Sequence, residues 1–190
     1  MRLKAAEPYA IDLLQHANAT VRREAVGVLG YLQDAENLPK LMAIAANDTD
    51  PEVRRTAVGT LVFGEACQVS DALVHALQDA YWQVRTEAAK GLGRLKIMDA
   101  VEPLIDATRD PLWQVRERAA EALGKLGLVG AIPALGACLD NDNGNLRKTA
   151  VAALGEIAHP DGLGWVDKAM QDPDPDVRKL ARWAKERMAA

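Results

Sequence analysis

The chain has 190 residues, 49% of them hydrophobic and 26% charged, which is the balance of a soluble domain with a sizeable core or of one continuous repeat array. Its net charge of -4 gives no general affinity for nucleic acid or an anionic membrane, and no apolar run approaches the ~18 residues of a bilayer span. The opening "MRLKAAEPYAIDLL" has Glu7 and Asp12 inside its apolar part and no small-residue cleavage site, so it is not expected to be a signal peptide, and the expected compartment is the cytoplasm.

The first apolar segment is "AIDLLQHA", preceded by Pro8, and behind it comes Val21-Arg22 with Ala25 and Leu29. The second pair is "LPKLMAIAAND" and then Val53-Arg54 with Ala57 and Leu61. The third is "SDALVHALQD" and Val84-Arg85 with Ala88 and Leu92. The fourth, "VEPLIDATRD", precedes Val115-Arg116 with Ala119 and Leu123. The fifth, "AIPALGACLD", precedes Leu146-Arg147 with Ala150 and Leu154. The sixth, "GWVDKAMQD", precedes Val177-Arg178 with Ala181.

The Val/Leu-Arg dipeptides recur at spacings of 32, 31, 31, 31 and 31 residues, so the chain is an internal repeat. Offsets of 0, 4 and 8 keep the apolar residues on one stripe of a helix, here helix B. The preceding segment reads as helix A, with Pro8, Pro39, Pro103 and Pro133 early, where a missing N–H costs least. Gly30, Gly93, Gly124 and Gly155 share the ninth position after the Val or Leu and are read as helix ends. One hairpin cannot bury its apolar face alone, whereas stacked hairpins can. The expected architecture is therefore all-α: a right-handed α-α superhelix of six hairpins filling a single domain, residues 1–190. The repeats run over about 2–31, 35–64, 66–95, 97–126, 128–158 and 160–188.

The stretches "DTDPEVRRTAVGTL", "DPLWQVRERAAEALGKLG", "DPDPDVRKLA" and "AIPAL" resemble the HEAT repeats, and more closely the HEAT-like repeats of the phycobilisome lyase type. The resemblance implies that an Asp in the A–B turn bonds the Arg six residues on. The pairs would be Asp48–Arg54, Asp79–Arg85, Asp110–Arg116, Asn141–Arg147 and Asp172–Arg178, weaker at Asn141 and in the first repeat, where His16 stands. A planar guanidinium can bond turn atoms of its own repeat and of the adjacent one at once. The resemblance also implies that the B helices line a concave surface. Its functions range from bilin lyase subunits to scaffolds and adaptors.

Catalytic signals are absent from the sequence. His16, His75 and His159 lie in no metal-binding pattern, and there is no phosphate-binding Gly loop or nucleophile elbow. Cys67 and Cys138 stand alone without metal-ligand spacing and are read as reduced, buried thiols. No catalytic residue, metal or cofactor is expected.

The B segments hold 18 of the 23 Lys and Arg but 10 of the 27 Asp and Glu, so the B layer is basic and the remainder acidic. Six of those Arg residues belong to the ladder, which leaves a mildly basic surface suited to an acidic protein patch; nucleic acid is not favoured without a continuous basic track. Tyr81, Trp82 and Gln83 are echoed by Trp113 and Gln114 one repeat later. Trp is enriched at binding hot spots, and capping of the stack is the competing reading. Tyr31 and Phe63 share the tenth position of their B helices, with exposure or inter-repeat packing both open, and Arg23, Arg55, Arg94, Arg118 and Lys148 supply non-ladder charge. Trp183 is expected to cover the open end of the last repeat. The function expected is a non-enzymatic scaffold or adaptor that binds another protein on the concave B-helix face. A bilin lyase or isomerase subunit is the alternative from the resemblance. The less polar first helix is the expected place for self-association.

Overall fold

The computed structural model describes residues 4–189; the expected start of the first repeat at residue 2 lies outside them. Among the described residues there are twelve α-helices and no strand. They are α1 (Glu7–Leu13), α2 (Ala19–Leu32), α3 (Leu38–Asn47), α4 (Pro51–Leu61), α5 (Ala66–Ala76) and α6 (Trp82–Arg94), then α7 (Val101–Ala107), α8 (Trp113–Leu126), α9 (Ile132–Ala137), α10 (Gly144–Ile157), α11 (Leu163–Ala169) and α12 (Pro175–Met188). Odd-numbered helices are the A helices and even-numbered ones the B helices of the repeat. The chain forms two compact units, Met1–Gly91 and Leu92–Ala190, and their boundary falls inside α6.

In the first unit α1 packs on α2, α3 on α4, and α2 directly on α4. In the second, α7 packs on α8, α9 on α10 and α11 on α12, while α8, α10 and α12 pack side by side. The repeat stripe is the core: apart from half-buried Val21, every Val, Leu and Ala of the 0, 4 and 8 offsets is buried. Leu29, Leu61, Leu92, Leu123 and Leu154 are completely enclosed, and each such side chain contributes roughly 1.5–3 kcal/mol relative to an exposed one.

The start of each B helix follows from its turn. Asn18, Asp50, Asn143 and Asp174 occupy N-cap positions and accept from backbone N–H groups of the first turn. Pro8, Pro39 and Pro133 lie at the first or second position of their A helices.

The ninth-position glycines correct the expectation of helix ends. Gly30, Gly93, Gly124 and Gly155 lie inside their helices and none has a positive φ. They are points of close approach between B helices. A Cβ on Gly124 would stand 2.8 Å from both Cα and Cβ of Ala153, and one on Gly93 would stand 2.8 Å from Cα of Ala122. The chain turns three residues later, where Gln33, Lys96, Gly127 and Ala158 adopt the left-handed conformation with φ of 53°, 51°, 71° and 51°. Only one of these four is glycine, so residue type did not reveal the true stop.

Candidate functional site

The Arg residues of the B helices organise each A–B turn. Nη1 of Arg22, Arg54, Arg85, Arg116, Arg147 and Arg178 donates to the backbone carbonyl six residues back, at 2.6–2.9 Å. The resemblance implied that the turn Asp bonds the Arg six residues on, and here the atom that accepts is the backbone carbonyl of that residue. The carboxylate fork lies one repeat further on. Nε and Nη2 of Arg22 bond Asp48 at 2.7 Å each, those of Arg54 bond Asp79 at 2.7 and 2.8 Å, and those of Arg147 bond Asp172 at 2.8 and 3.0 Å. The geometric cause is the reach of the guanidinium. It lies alongside its own turn, so Nη1 meets the carbonyl while its other edge faces the next turn.

This displacement relocates the weak rung. The first repeat is intact despite His16, because Arg22 needs only the backbone oxygen of residue 16 and finds its carboxylate on Asp48. Asn141 leaves Arg147 undisturbed and deprives Arg116, whose buried Nε has no acceptor. The forks also act on titration. Burial alone would raise Asp48 and Asp79, but the bonds from Arg22 and Arg54, with those from the Asp50 and Tyr81 N–H groups, hold both carboxyls below the ordinary aspartate value. For Asp172 the Arg147 fork is itself the largest influence, also downward.

Both thiols were expected to be buried, and only Cys138 is. Cys138 is buried, and its enclosure pushes the thiol up to about 11 despite the nearby Arg116 charge and Thr108 side chain. Cys67 is exposed. It lies two residues, about 200° of helix, from buried Val69, and so points away from the α5 core stripe.

The proposed contact residues of the first unit are Tyr31, Phe63, Tyr81, Trp82, Gln83, Arg23 and Arg55. Tyr31 is 72% exposed and Phe63 50%. Phe63 borders a cavity of about 270 Å³ formed with Leu29, Leu38, Leu41 and Thr60. Tyr81 and Trp82 are half-buried. Arg55 is engaged with Glu52 at 2.8 Å and Arg23 with Glu24 at 3.3 Å.

In the second unit Trp113 opens α8 beside Leu112, and the two are 36% and 38% exposed. Arg118 bonds Glu121 at 2.6 Å, Lys148 lies within 3.5 Å of Asp174, and Arg94 is exposed. Gln83 and Gln114 are half-buried, and their Oε1 atoms are buried without a donor. Trp183 does not face the open end of the last repeat. Its ring lies over Gly155, where a Cβ would stand 2.3 Å from it, and Arg187 stacks on it at 5.4 Å. Trp165, which the sequence reading passed over, covers Gly136 in the same manner. The paired small residue and Trp one repeat apart were the missed signal.

The start of α8 departs from that of four other B helices. Its N-cap position holds Leu112, with no side-chain cap, where α2, α4, α10 and α12 have Asn18, Asp50, Asn143 and Asp174. Tyr81 stands at the equivalent position before α6. The repeats with Trp-Gln thus have Tyr or Leu where the others have Asn or Asp. Among the described residues no cluster of His, Cys, Asp and Glu could hold a metal, and no helix is long and apolar enough to cross a membrane.

Comparison with solved structures places this architecture among repeat proteins. The chain is similar to one in the complex of CpcE and CpcF of phycocyanin lyase from Nostoc sp. PCC7120, with 25% identity, 92% of this chain and 74% of that chain covered, and a TM-score of 0.71. A designed armadillo repeat protein in complex with the peptide (KR)4 matches with 21% identity, 95% and 98% coverage, and a TM-score of 0.71. An engineered protein matches with 21% identity over 96% of both chains, again at a TM-score of 0.71. The likenesses at 21% show the fold alone, an all-α solenoid of helical hairpins. No curated protein matches the chain. The pattern of the HEAT repeats itself matches residues 6–65, 70–154 and 132–188. With that match across nearly the whole length, and with turn-spanning Arg residues on every B helix, the chain belongs to the HEAT repeat family.

Proposed function

We propose that the chain is a non-enzymatic scaffold that binds a partner protein through apolar and aromatic side chains of its B helices. The observation that carries this reading is Leu112. An Asn or Asp at an N-cap stabilises a helix by about 1 kcal/mol over an apolar residue, and four B helices have one. The α8 turn forgoes that gain and leaves Leu112 and Trp113 exposed instead. Stability sacrificed beside an exposed Trp is what a recognition surface requires. Aromatic contact is favoured over charge, because a partner's acidic groups would have to displace Glu52 from Arg55 and Glu121 from Arg118.

The test is affinity capture from the native cell with wild type, Trp82→Ala/Trp113→Ala and Leu112→Asn. The expected result is a protein recovered by wild type and lost from both variants, with Leu112→Asn more stable to heat than wild type. Equal recovery by all three would place recognition elsewhere.

A second reading draws on the CpcE–CpcF likeness, at 25% identity over 92% of the chain: a bilin lyase subunit working with a second HEAT-repeat chain. An absorbance change on mixing with a free bilin and such a partner would favour it, and an unchanged spectrum counts against it.

Self-association is assigned to α1, where Tyr9 is 72% and Leu13 40% exposed. Sedimentation should show dimers for wild type and monomers for Tyr9→Ser/Leu13→Ser. An identical mass for both would remove α1 from the interface.

A further inference from the structure

The incomplete rung at Arg116 has the makings of a ligand site. In the intact rungs, one Asp oxygen accepts from Nη2 and from the N–H two residues on, and the other accepts from Nε. Asn141 keeps the first of these roles only in part: its Oδ1 accepts from the Asn143 N–H at 3.0 Å. That bond fixes the orientation of the amide. The atom in the place of the second oxygen is therefore Nδ2, a donor where Nε needs an acceptor. Arg116 remains held by its own turn, through Nη1 to the Asp110 and Pro111 carbonyls at 2.7 and 3.1 Å, so the guanidinium stays presented. A buried charged donor without an acceptor costs more than the same group paired, which favours any anion that supplies one.

The space for such an anion is present. Arg116 and Asn141 line a cleft of about 310 Å³, together with Thr108 and the apolar side chains of Ile105, Pro133 and Leu146. Donor groups and apolar side chains thus line the same cleft.

We propose that this cleft binds a small aliphatic carboxylate, whose head group accepts from the Arg116 guanidinium and from Nδ2 of Asn141 and whose tail lies against Ile105, Pro133 and Leu146. A simple inorganic anion would meet the donors but leave the apolar lining uncovered. Affinity should therefore rise with chain length, about fourfold for each methylene buried. An acidic side chain at position 141 supplies the carboxylate internally, so Asn141→Asp should complete the rung and close the site.

The experiment titrates the full chain with sodium acetate, sodium butanoate and sodium chloride at constant ionic strength. Thermal unfolding is followed for wild type and Asn141→Asp. Wild type should gain about 2–4 °C at a butanoate concentration roughly five times Kd. Acetate should need about fifteenfold more, and chloride should give no gain. Asn141→Asp should unfold higher than wild type in chloride and gain nothing from butanoate. An independent readout is the Nε–H resonance of Arg116 in wild type, assigned by its loss in Arg116→Lys, which should move on titration with butanoate. Equal gains for wild type and Asn141→Asp, equal gains from chloride and butanoate, or an unmoved Arg116 resonance would each overturn the proposal.

Discussion

At the scale of single residues, the chain stops four of its six B helices with a left-handed residue at one fixed position and does not insist on glycine there. Ala158 has φ 51°, ψ 43° and caps α10 with its N–H on the Leu154 carbonyl. An L-residue in that region is strained by roughly 1–2 kcal/mol, whereas glycine is not. Gly127 holds the same place after α8 and has no atom within 4 Å of a Cβ position. Ala158→Gly should therefore stabilise the protein by about 0.5–1 kcal/mol, the strain relieved less the extra freedom of glycine in the unfolded chain. Chemical denaturation at fixed slope measures it. A midpoint lowered by the substitution would show that Ala158 stabilises through packing rather than tolerating strain.

At the scale of elements, the B helices approach one another at glycine, and this sets how closely they pack. Gly124 on α8 meets Ala153 on α10 backbone to backbone, and a methyl there cannot be absorbed by a flexible side chain. Gly124→Ala should cost about 1–3 kcal/mol by forcing α8 and α10 apart, although alanine is the better helix former. Gly27→Ala on α2 is the control. Its Cβ would meet nothing within 4 Å, so propensity alone acts and the change should stabilise. If both substitutions stabilise, the close approach is not a constraint. Helices, register and core were legible because they follow from periodicity within one strand of sequence. The 0, 4, 8 stripe of Val115, Ala119 and Leu123 states its own burial. What depends on the neighbouring repeat was not legible. Gly124 looked like a helix end until Ala153 stood opposite, and nothing in the turn of Arg116 told that its buried Nε would lack an acceptor. In a repeat protein, position within the period is local, but the partner lies one period away.

At the scale of the whole molecule, the forks make stability a function of pH. Asp48 and Asp79 in the first unit and Asp172 in the second all have carboxyls held below the ordinary aspartate range in the folded chain. The folded state therefore binds protons less readily than the unfolded state at these three groups. Their contribution is complete above the unfolded aspartate value and is lost as pH falls through the lower folded values. The protein should keep its full stability from about pH 7 to pH 5 and lose it steeply below about pH 4. Asp172→Asn isolates one fork. The amide can still accept from the Asp174 N–H, as Asn141 does from Asn143, while the ion pair to Arg147 is gone. The substitution should cost about 1–2 kcal/mol at neutral pH, in keeping with a hydrogen-bonded, mostly covered charge pair. The difference from wild type should shrink on acidification, since protonated Asp172 resembles Asn. Urea unfolding of both proteins across that pH range decides the matter. A difference that stays constant to about pH 3 would mean that Asp172 acts through its turn and not through its charge.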